Sequence, residues 1–461
     1  MNTSQVKDPG SEAPKMKRGE LPMIKLCLPL VLEQLFRILV SSADTVMLSS
    51  YSNSAVAGVG LMGQYVFFLN ILFGVITTGT SIVLAQYLGA KKPKNELNSI
   101  VQASTVMICT VALFLTCVVF LGTKPLLSRY TLEDEVRKAA YEYFLIYGGI
   151  GAIVNSLSLL QSSILRCYGY TKEALFVTLI ANIINVTGNA LSLYGFFGLP
   201  ILGVKGVAGA SLLSMTVSCI ILSQIIRRKK DVHFDLRGVK KTPLHYYKII
   251  LSVGLPTASE SLSYNVSQIV IMAMISTLGT SAMSSQVYIR TICQYVYIVA
   301  IGMGSATQIK TGYYVGAHKS EVAYKKMFSY STVATSVSLG MILLVNLLNA
   351  PVIRIFTTDP QIVKTLKTLL KVEILLEFGR SLNLIWIGGL KGAGDIRFPV
   401  LYGMFSNWCI MVFLSWLLGL KMGMGIVGCW IGIALDETTR GIVMIFRWLS
   451  KRWMTKSLVR S

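Results

Sequence analysis

Three ionisable residues, Glu33, Arg37 and Asp44, lie within one long apolar segment near the start of the sequence. A helix turns by about 100° per residue, so Arg37 and Asp44 lie about 40° and 20° from Glu33 and the three share one face. Glu33 and Arg37 are spaced for a structural ion pair. Asp44, about 16 Å beyond Glu33, has no basic residue one turn away. Because an ionisable residue inside a membrane marks an ion or substrate pathway, we expect Asp44 to take up a cation or a proton.

Polar side chains that could share a cation with Asp44 occur in two later apolar segments. Asn185 and Asn189 are four residues apart and share a helix face, and Ser211 lies in the next segment. Amide and hydroxyl oxygens with one carboxylate form a hard-oxygen site that suits Na⁺, or a proton held on Asp44. Hydrogen bonding between helices is the alternative role for these residues, and the sequence leaves both open.

The second half of the sequence has its own ionisable residues inside apolar segments. Glu377 and Arg380 are spaced for an ion pair, as are Asp436 and Arg440. Glu260 has no basic residue one turn away on its own helix. We therefore take Glu260, with Glu377 and Arg380, as candidates for a substrate or proton site in this half.

The segments that hold these residues must be membrane helices. Of the 461 residues, 53% are hydrophobic and 14% are charged, whereas a soluble domain carries about 25% charge. The stretches 101–120 and 402–420 contain no charged residue, and about 20 apolar residues span a bilayer. In hydrocarbon the backbone must satisfy its own hydrogen bonds, which predicts helices. We expect an all-α integral membrane protein.

Alternation of apolar segments and polar breaks predicts twelve transmembrane helices. They lie near residues 22–50, 55–88, 98–120, 136–165, 173–194, 205–226, 249–278, 281–316, 327–349, 361–390, 398–420 and 425–449. The predicted organisation is a tail (1–21), a first lobe (22–226), a basic linker (227–248), a second lobe (249–450) and a second tail (451–461).

The two halves repeat at a constant offset of 227 residues. The matching pairs include Pro29 and Pro256, Glu33 and Glu260, and Gly89 and Gly316. Six helices per half is an even number, so both halves enter the membrane from the same side. We predict two pseudo-symmetric six-helix lobes related by an axis along the membrane normal, with a cleft between them. Asp44 aligns with Ile271, so the deep carboxylate occurs in one lobe only.

The excess of basic residues, a formal net charge of +22, lies mainly in alternate loops. Lys and Arg occur at 91–94 and throughout 227–248, whereas the turns at 51–54, 195–203 and 279–281 contain none. This asymmetry sets membrane topology and places both termini in the cytoplasm of a multi-pass cell-membrane protein. It does not indicate a nucleic-acid-binding face.

The sequence lacks the residue patterns that disulfide frameworks, metal sites and nucleotide-binding sites require. Eight cysteines are scattered without CxxC spacing and three histidines lie apart, so no disulfide framework, metal site or cofactor is expected. The stretch from Gly304 to Lys310-Thr311 resembles a phosphate loop, but Ile309 replaces its second glycine. We expect no enzyme, and a process driven by an ion gradient or by the substrate's own gradient.

The sequence resembles the multidrug and toxic compound extrusion (MATE) family from about residue 22 to 452. The motifs that carry the resemblance are Ala43-Asp44-Thr45-x-Met47, Leu84-Ala85-Gln86-x-x-Gly89-Ala90, Asn185-x-x-x-Asn189, Leu202-Gly203-Val204-x-Gly206, Leu390-Lys391-Gly392-Ala393-Gly394-Asp395 and Asp436-Glu437-x-x-Arg440. Their order across two six-helix halves makes the set specific.

The resemblance implies an antiporter that alternates between two openings and exports amphipathic, often cationic, drugs or toxic metabolites in exchange for Na⁺ or H⁺. It also implies that Asp44 binds the cation with Asn185, Asn189 and Ser211. We expect a monomer that works in the lipid bilayer on small molecules. The alternatives are a flippase for lipid-linked saccharides or peptidoglycan precursors, which would favour a cationic cavity, and a receptor or scaffold without transport.

Overall fold

In the computed structural model, residues 22–198, 200–232, 235, 238–239 and 242–459 are described, and helices dominate them. The long helices are α1 (Met23–Tyr51), α2 (Asn53–Gly89), α3 (Lys94–Leu127), α4 (Asp134–Cys167), α5 (Thr171–Tyr194), α6 (Gly203–Arg228), α7 (Leu244–Ser276), α8 in two parts (Thr280–Gln294 and Ile298–Gly316), α9 (Ser320–Leu347), α10 (Pro360–Ala393), α11 (Arg397–Lys421) and α12 (Gly425–Leu449). The all-α prediction is confirmed. The predicted tail 1–21 lies outside the described residues, as do parts of the linker 227–248.

Membrane-spanning character is clear from length and composition. Seven of these helices are long and apolar enough to cross a bilayer, and eight are if the two parts of α8 count as one span. The other four long helices, α1, α7, α10 and α12, carry most of the buried acidic side chains of the described residues. The buried acids are therefore concentrated in the four long helices outside that set.

Two differences from the predicted helices have clear physical causes. α8 is bent by 50° where one helix was predicted over 281–316, because the amides of Tyr295 and Val296 bond to carbonyls only three residues back and interrupt the α-helical pattern. No proline marks this break, so the sequence did not predict it. α3 extends beyond the predicted 98–120 at both ends, because Leu97, Thr123 and Leu127 in these extensions are buried against neighbouring helices.

Local capping explains where α10 begins and ends. The Asp359 side chain accepts a hydrogen bond from the Gln361 amide at 2.8 Å, and Pro360 occupies the first turn of α10. The same helix ends at Gly394, whose φ of 92° suits a residue without a Cβ. These signals fix the ends of the helix that carries Glu377 and Arg380.

The two lobes meet closely on one side of the bundle, where α6 ends and α7 begins, which we call the linker side. A Cβ placed on Gly89 would collide with the Tyr313 carbonyl, and one on Gly316 would collide with the Gln86 carbonyl. The two contacts are related by the 227-residue offset, so α2 and α8 cross with local pseudo-twofold symmetry. The crossing closes the linker side, since backbones in contact leave no passage.

Gly89→Ala and Gly316→Ala should each lower the free energy of unfolding by about 1–3 kcal/mol, because an added methyl group must push two backbones apart. Denaturant titration in detergent micelles measures this. Gly60→Ala is the control on the same helix, because a Cβ there meets nothing within 4 Å. Equal stability of all three variants would contradict the close crossing.

Candidate functional site

The first lobe encloses a cavity of about 380 Å³ whose wall includes Glu33, Arg37 and Asp44. Arg37 Nη2 lies 3.3 Å from Glu33 Oε1, which confirms the ion pair expected from their spacing. Arg166 of α4 also pairs with Glu33, whose side chain is only 4% exposed. Glu33 therefore joins α1 to α4. The sequence had assigned Arg166 to a loop, but it lies within α4.

The predicted cation-site residues come together beside this cavity. Asn189 Nδ2 donates to Asp44 Oδ1 at 2.7 Å. The same amide nitrogen lies 3.4 Å from Asn185 Oδ1, and Asn185 Nδ2 donates to Ser211 Oγ at 2.9 Å. Asp44, Asn185, Asn189 and Ser211 thus form one hydrogen-bonded chain across α1, α5 and α6.

Small residues allow α5 and α6 to approach closely enough for this chain. A Cβ on Gly188 would lie 2.6 Å from the Ala210 Cβ, and one on Gly206 would lie 2.6 Å from Ser192 Oγ. Small residues at helix interfaces are the usual route to close packing in membranes. Gly188 is adjacent in sequence to Asn189, so the tight contact directly positions the site.

The site combines a carboxylate facing the cavity with spare oxygen ligands. Asp44 forms no ion pair within the described part of the chain, since Arg37 and Arg166 are both engaged by Glu33. Asn189 is 1% exposed and its Oδ1 has no hydrogen-bond partner. A carboxylate beside an unsatisfied amide oxygen is suited to a hard cation or to a proton on Asp44. The contacts therefore fit an ion-exchange role.

Glu260 occupies the matching position in the second lobe. Lys391 Nζ lies 2.7 Å from its Oε2, and Arg440 Nη2 lies 3.2 Å from its Oε1. The absence of a basic neighbour along α7 was therefore misleading, because the partners come from α10 and α12. Lys391, which the sequence had assigned to a loop, is 8% exposed and lies inside α10. A role of Glu260 in proton or substrate binding remains a prediction.

The other predicted ion pairs of the second lobe are present. Arg380 Nη1 lies 3.1 Å from Glu377 Oε2 and 3.0 Å from Glu373 Oε1. Asp436 Oδ2 lies 3.6 Å from Arg440 Nη1. Both acids of α10 are fully buried, which favours a structural network. Oxygens of Glu373 and Glu377 nevertheless lack hydrogen-bond partners, so the network is not saturated.

A second cavity of about 380 Å³ borders this network. Its lining includes Glu260 and Arg380 as well as residues that the sequence analysis missed: Arg290, Asn383 and Trp430. Arg290 could have been found from sequence, because it lies inside the predicted helix 281–316. Asn383 donates to Glu437 at 2.7 Å, a contact that only the tertiary structure reveals.

Glu33→Gln and Glu260→Gln should each cost about 3–5 kcal/mol of stability, because the first leaves Arg166 and the second leaves Lys391 without its acidic partner. Arg37→Gln should cost less than about 1 kcal/mol, since its side chain is 55% exposed and Glu33 keeps Arg166. Unfolding titrations in micelles measure both effects. Comparable losses in Arg37→Gln and Glu33→Gln would rule out this division of roles.

The MatE family model matches residues 29–191 and, a second time, residues 256–417. The chain belongs to the MATE family. The two matched stretches begin 227 residues apart, at the offset of the internal repeat, so the duplication extends through both lobes. MATE proteins are membrane transporters, and the multi-pass helical fold described above agrees with that assignment.

The relatives of this MATE chain match it over nearly its full length. It is 33% identical over 436 residues to the uncharacterized transporter YisQ of Bacillus subtilis, and the alignment covers 95% of each chain. It is 27% identical over 456 residues to the probable multidrug resistance protein NorM of Thermotoga maritima, and the alignment covers 98% of this chain and 96% of that one.

A solved structure shares the fold. A MOP superfamily transporter from Pyrococcus furiosus superimposes with a TM-score of 0.84 at 21% identity, and the match covers 95% of this chain and 96% of that one. That transporter is described as having a binding pocket of reverse polarity that suggests a different function.

Proposed function

We propose that this MATE transporter is an antiporter that exports amphipathic, often cationic, drugs or toxic metabolites in exchange for Na⁺ or H⁺. The observation that carries the proposal is Asp44: a carboxylate on a cavity wall, hydrogen-bonded to Asn189 and without an ion pair in the described residues. A permanently paired acid could not exchange a cation. Asp44 is available to do so, in contrast to Glu33.

Exchange requires the cation and the cargo to favour different arrangements of the lobes. The structure is closed on the linker side, where α2 and α8 cross at Gly89 and Gly316. If the basic loops mark the cytoplasm, with both termini there in the cell membrane, this arrangement faces outward and admits the cation to Asp44. Cation binding would then favour return to the inward-facing state, where a monomer accepts new cargo.

The flippase alternative would need a strongly cationic cavity to hold a pyrophosphate. The second-lobe cavity is lined by Arg290, Arg380, Lys391 and Arg440. Three of these four are paired with buried acids, as described above. Little free positive charge remains, which favours the antiporter.

Asp44→Asn should reduce gradient-driven efflux of a fluorescent cationic amphiphile to the level of empty vesicles, because an amide cannot exchange a proton and binds Na⁺ weakly. Proteoliposomes with Na⁺ and pH gradients imposed separately identify the coupling ion. Asp134→Asn is the control, since Asp134 is a fully exposed acid at the start of α4. Unchanged efflux by a folded Asp44→Asn protein would overturn the proposal.

A further inference from the structure

The second-lobe cavity contains one basic residue that differs from the others. Arg290 lies in the first part of α8, ten residues and about 15 Å from its start at Thr280. Its side chain is exposed on the cavity wall, and no acidic partner is found for it within residues that the structure describes. Arg380 and Lys391, on the same wall, are both ion-paired.

An unpaired guanidinium at this depth needs a counter-charge or water. At the centre of a bilayer an arginine costs at least about 2.5 kcal/mol on insertion scales, so such residues face cavities and mark substrate pathways. A guanidinium presents a planar set of donors that matches a carboxylate in a bidentate manner. Arg290 therefore has the chemistry of an anion-binding residue.

The surroundings of Arg290 suit an amphipathic ligand. Trp430 and Ile433 provide apolar surface on the wall, and Gln268 provides an amide group. Trp430 is held by a hydrogen bond from its Nε1 to Gln286 Oε1, so its ring orientation is fixed. Aromatic and apolar surface with a few placed polar groups is typical of small-molecule sites.

The two lobes differ in the ionisable groups that remain without an ion pair among the described residues. In the first lobe Arg37 and Arg166 are both used by Glu33, which leaves Asp44. In the second-lobe cavity Arg290 is left among the basic residues, and Glu437, which accepts a hydrogen bond from Asn383, is left among the acids. We propose that Arg290 binds a carboxylate of the cargo, so that the preferred substrates are amphipathic compounds that carry a carboxylate. This rests on the proposed function and narrows its substrate class.

A matched pair of ligands tests the assignment: a xanthene dye with a free carboxylate and the ethyl ester of the same dye. Binding to purified protein is measured by tryptophan quenching, without any gradient. Arg290→Gln should raise the Kd for the acid by about 10- to 100-fold, the value of a charge-assisted hydrogen bond, and leave the Kd for the ester unchanged. Arg290→Lys should recover part of the loss, and Arg354→Gln, outside the cavity, is the control.

Each outcome of the Kd measurements either supports or overturns the assignment of Arg290. An equal loss for acid and ester would assign Arg290 a structural role and overturn the proposal, as would no loss for either. Competition by a lipid pyrophosphate at lower concentration than the dye acid would overturn the carboxylate assignment and favour the flippase. The proposed antiport is tested separately, because failure of gradient-driven efflux leaves the equilibrium Kd values intact.

An independent set of contacts concerns the chain after α12. Trp453 is fully buried, stacks on Trp448 with ring centroids 3.9 Å apart, and donates its Nε1 to the Trp448 carbonyl at 3.0 Å. The last described residues of the tail then reach the first lobe, where Val459 is buried in its core cluster. The tail 450–459 is therefore anchored in both lobes.

One side chain of α2 joins this tail to the closed linker side. Gln86 is completely buried, and its Oε1 accepts a hydrogen bond from the Leu458 amide at 2.8 Å. Its Nε2 donates to the Gly392 carbonyl of α10, also at 2.8 Å. Separation of the lobes on this side must break these bonds. We infer that residues 456–459 act as a latch that stabilises the conformation closed on the linker side.

Leu458→Pro removes the amide that binds Gln86, whereas Leu458→Ala keeps it and serves as the matched control. Hydrogen exchange should rise about 2- to 10-fold in the linker-side ends of α2 and α8 for the proline variant, the expected effect of one hydrogen bond. It should change little for the alanine variant. If exchange rises throughout the chain, the proline variant is unfolded, and a protein truncated after Ser457 is used instead. Its hydrogen exchange is compared at the same linker-side ends of α2 and α8. Equal exchange at the linker side in wild type and truncated protein would overturn the latch.

Discussion

The constraint on which this structure depends is the need to neutralise charge in hydrocarbon. Each lobe places a glutamate on its first helix and a basic residue on its fourth: Glu33 with Arg166, and Glu260 with Lys391. Both pairs join helices far apart in sequence, so each links the first helix of its lobe to the fourth. Removing one partner of a buried pair costs more than the pair contributes, which makes these contacts specific.

Most ionisable side chains inside the lobes are paired, and the few without an ion pair are the ones available to bind a ligand. The first lobe uses its basic residues on Glu33, and Asp44 is then stabilised only by an amide. In the second lobe Arg380 and Arg440 each pair with two acids, Glu437 is held only by the Asn383 amide, and Arg290 has no acidic partner among the described residues. The two lobes have a common fold and a common internal ion pair, yet they differ in the charge offered to a ligand.

The sequence predicted what lies within one helix and missed what lies between helices. The i,i+4 spacing of Asn185 and Asn189, and the isolation of Asp44 from basic neighbours on α1, followed from helical geometry alone. The partners of Glu260 did not, because Lys391 and Arg440 lie more than a hundred residues away. Lys391 also ends an apolar segment, where a lysine normally reaches the membrane surface. The break in α8 contains no proline, so no local sequence signal predicted it.

That break divides α8 into arms with different mechanical attachments. The arm Thr280–Gln294, which carries Arg290, packs against α7, α10 and α12 of its own lobe. The arm Ile298–Gly316 packs against α9 and α10 of its own lobe and also against α1 and α2 of the other lobe, with Gly302 close to Val31. A rocking motion of the lobes must therefore shear the contact of the second arm with α1 and α2, whereas the first arm can move with its own lobe. A molecule bound at Arg290 would then move with the second lobe, and an ion bound at Asp44 would move with the first.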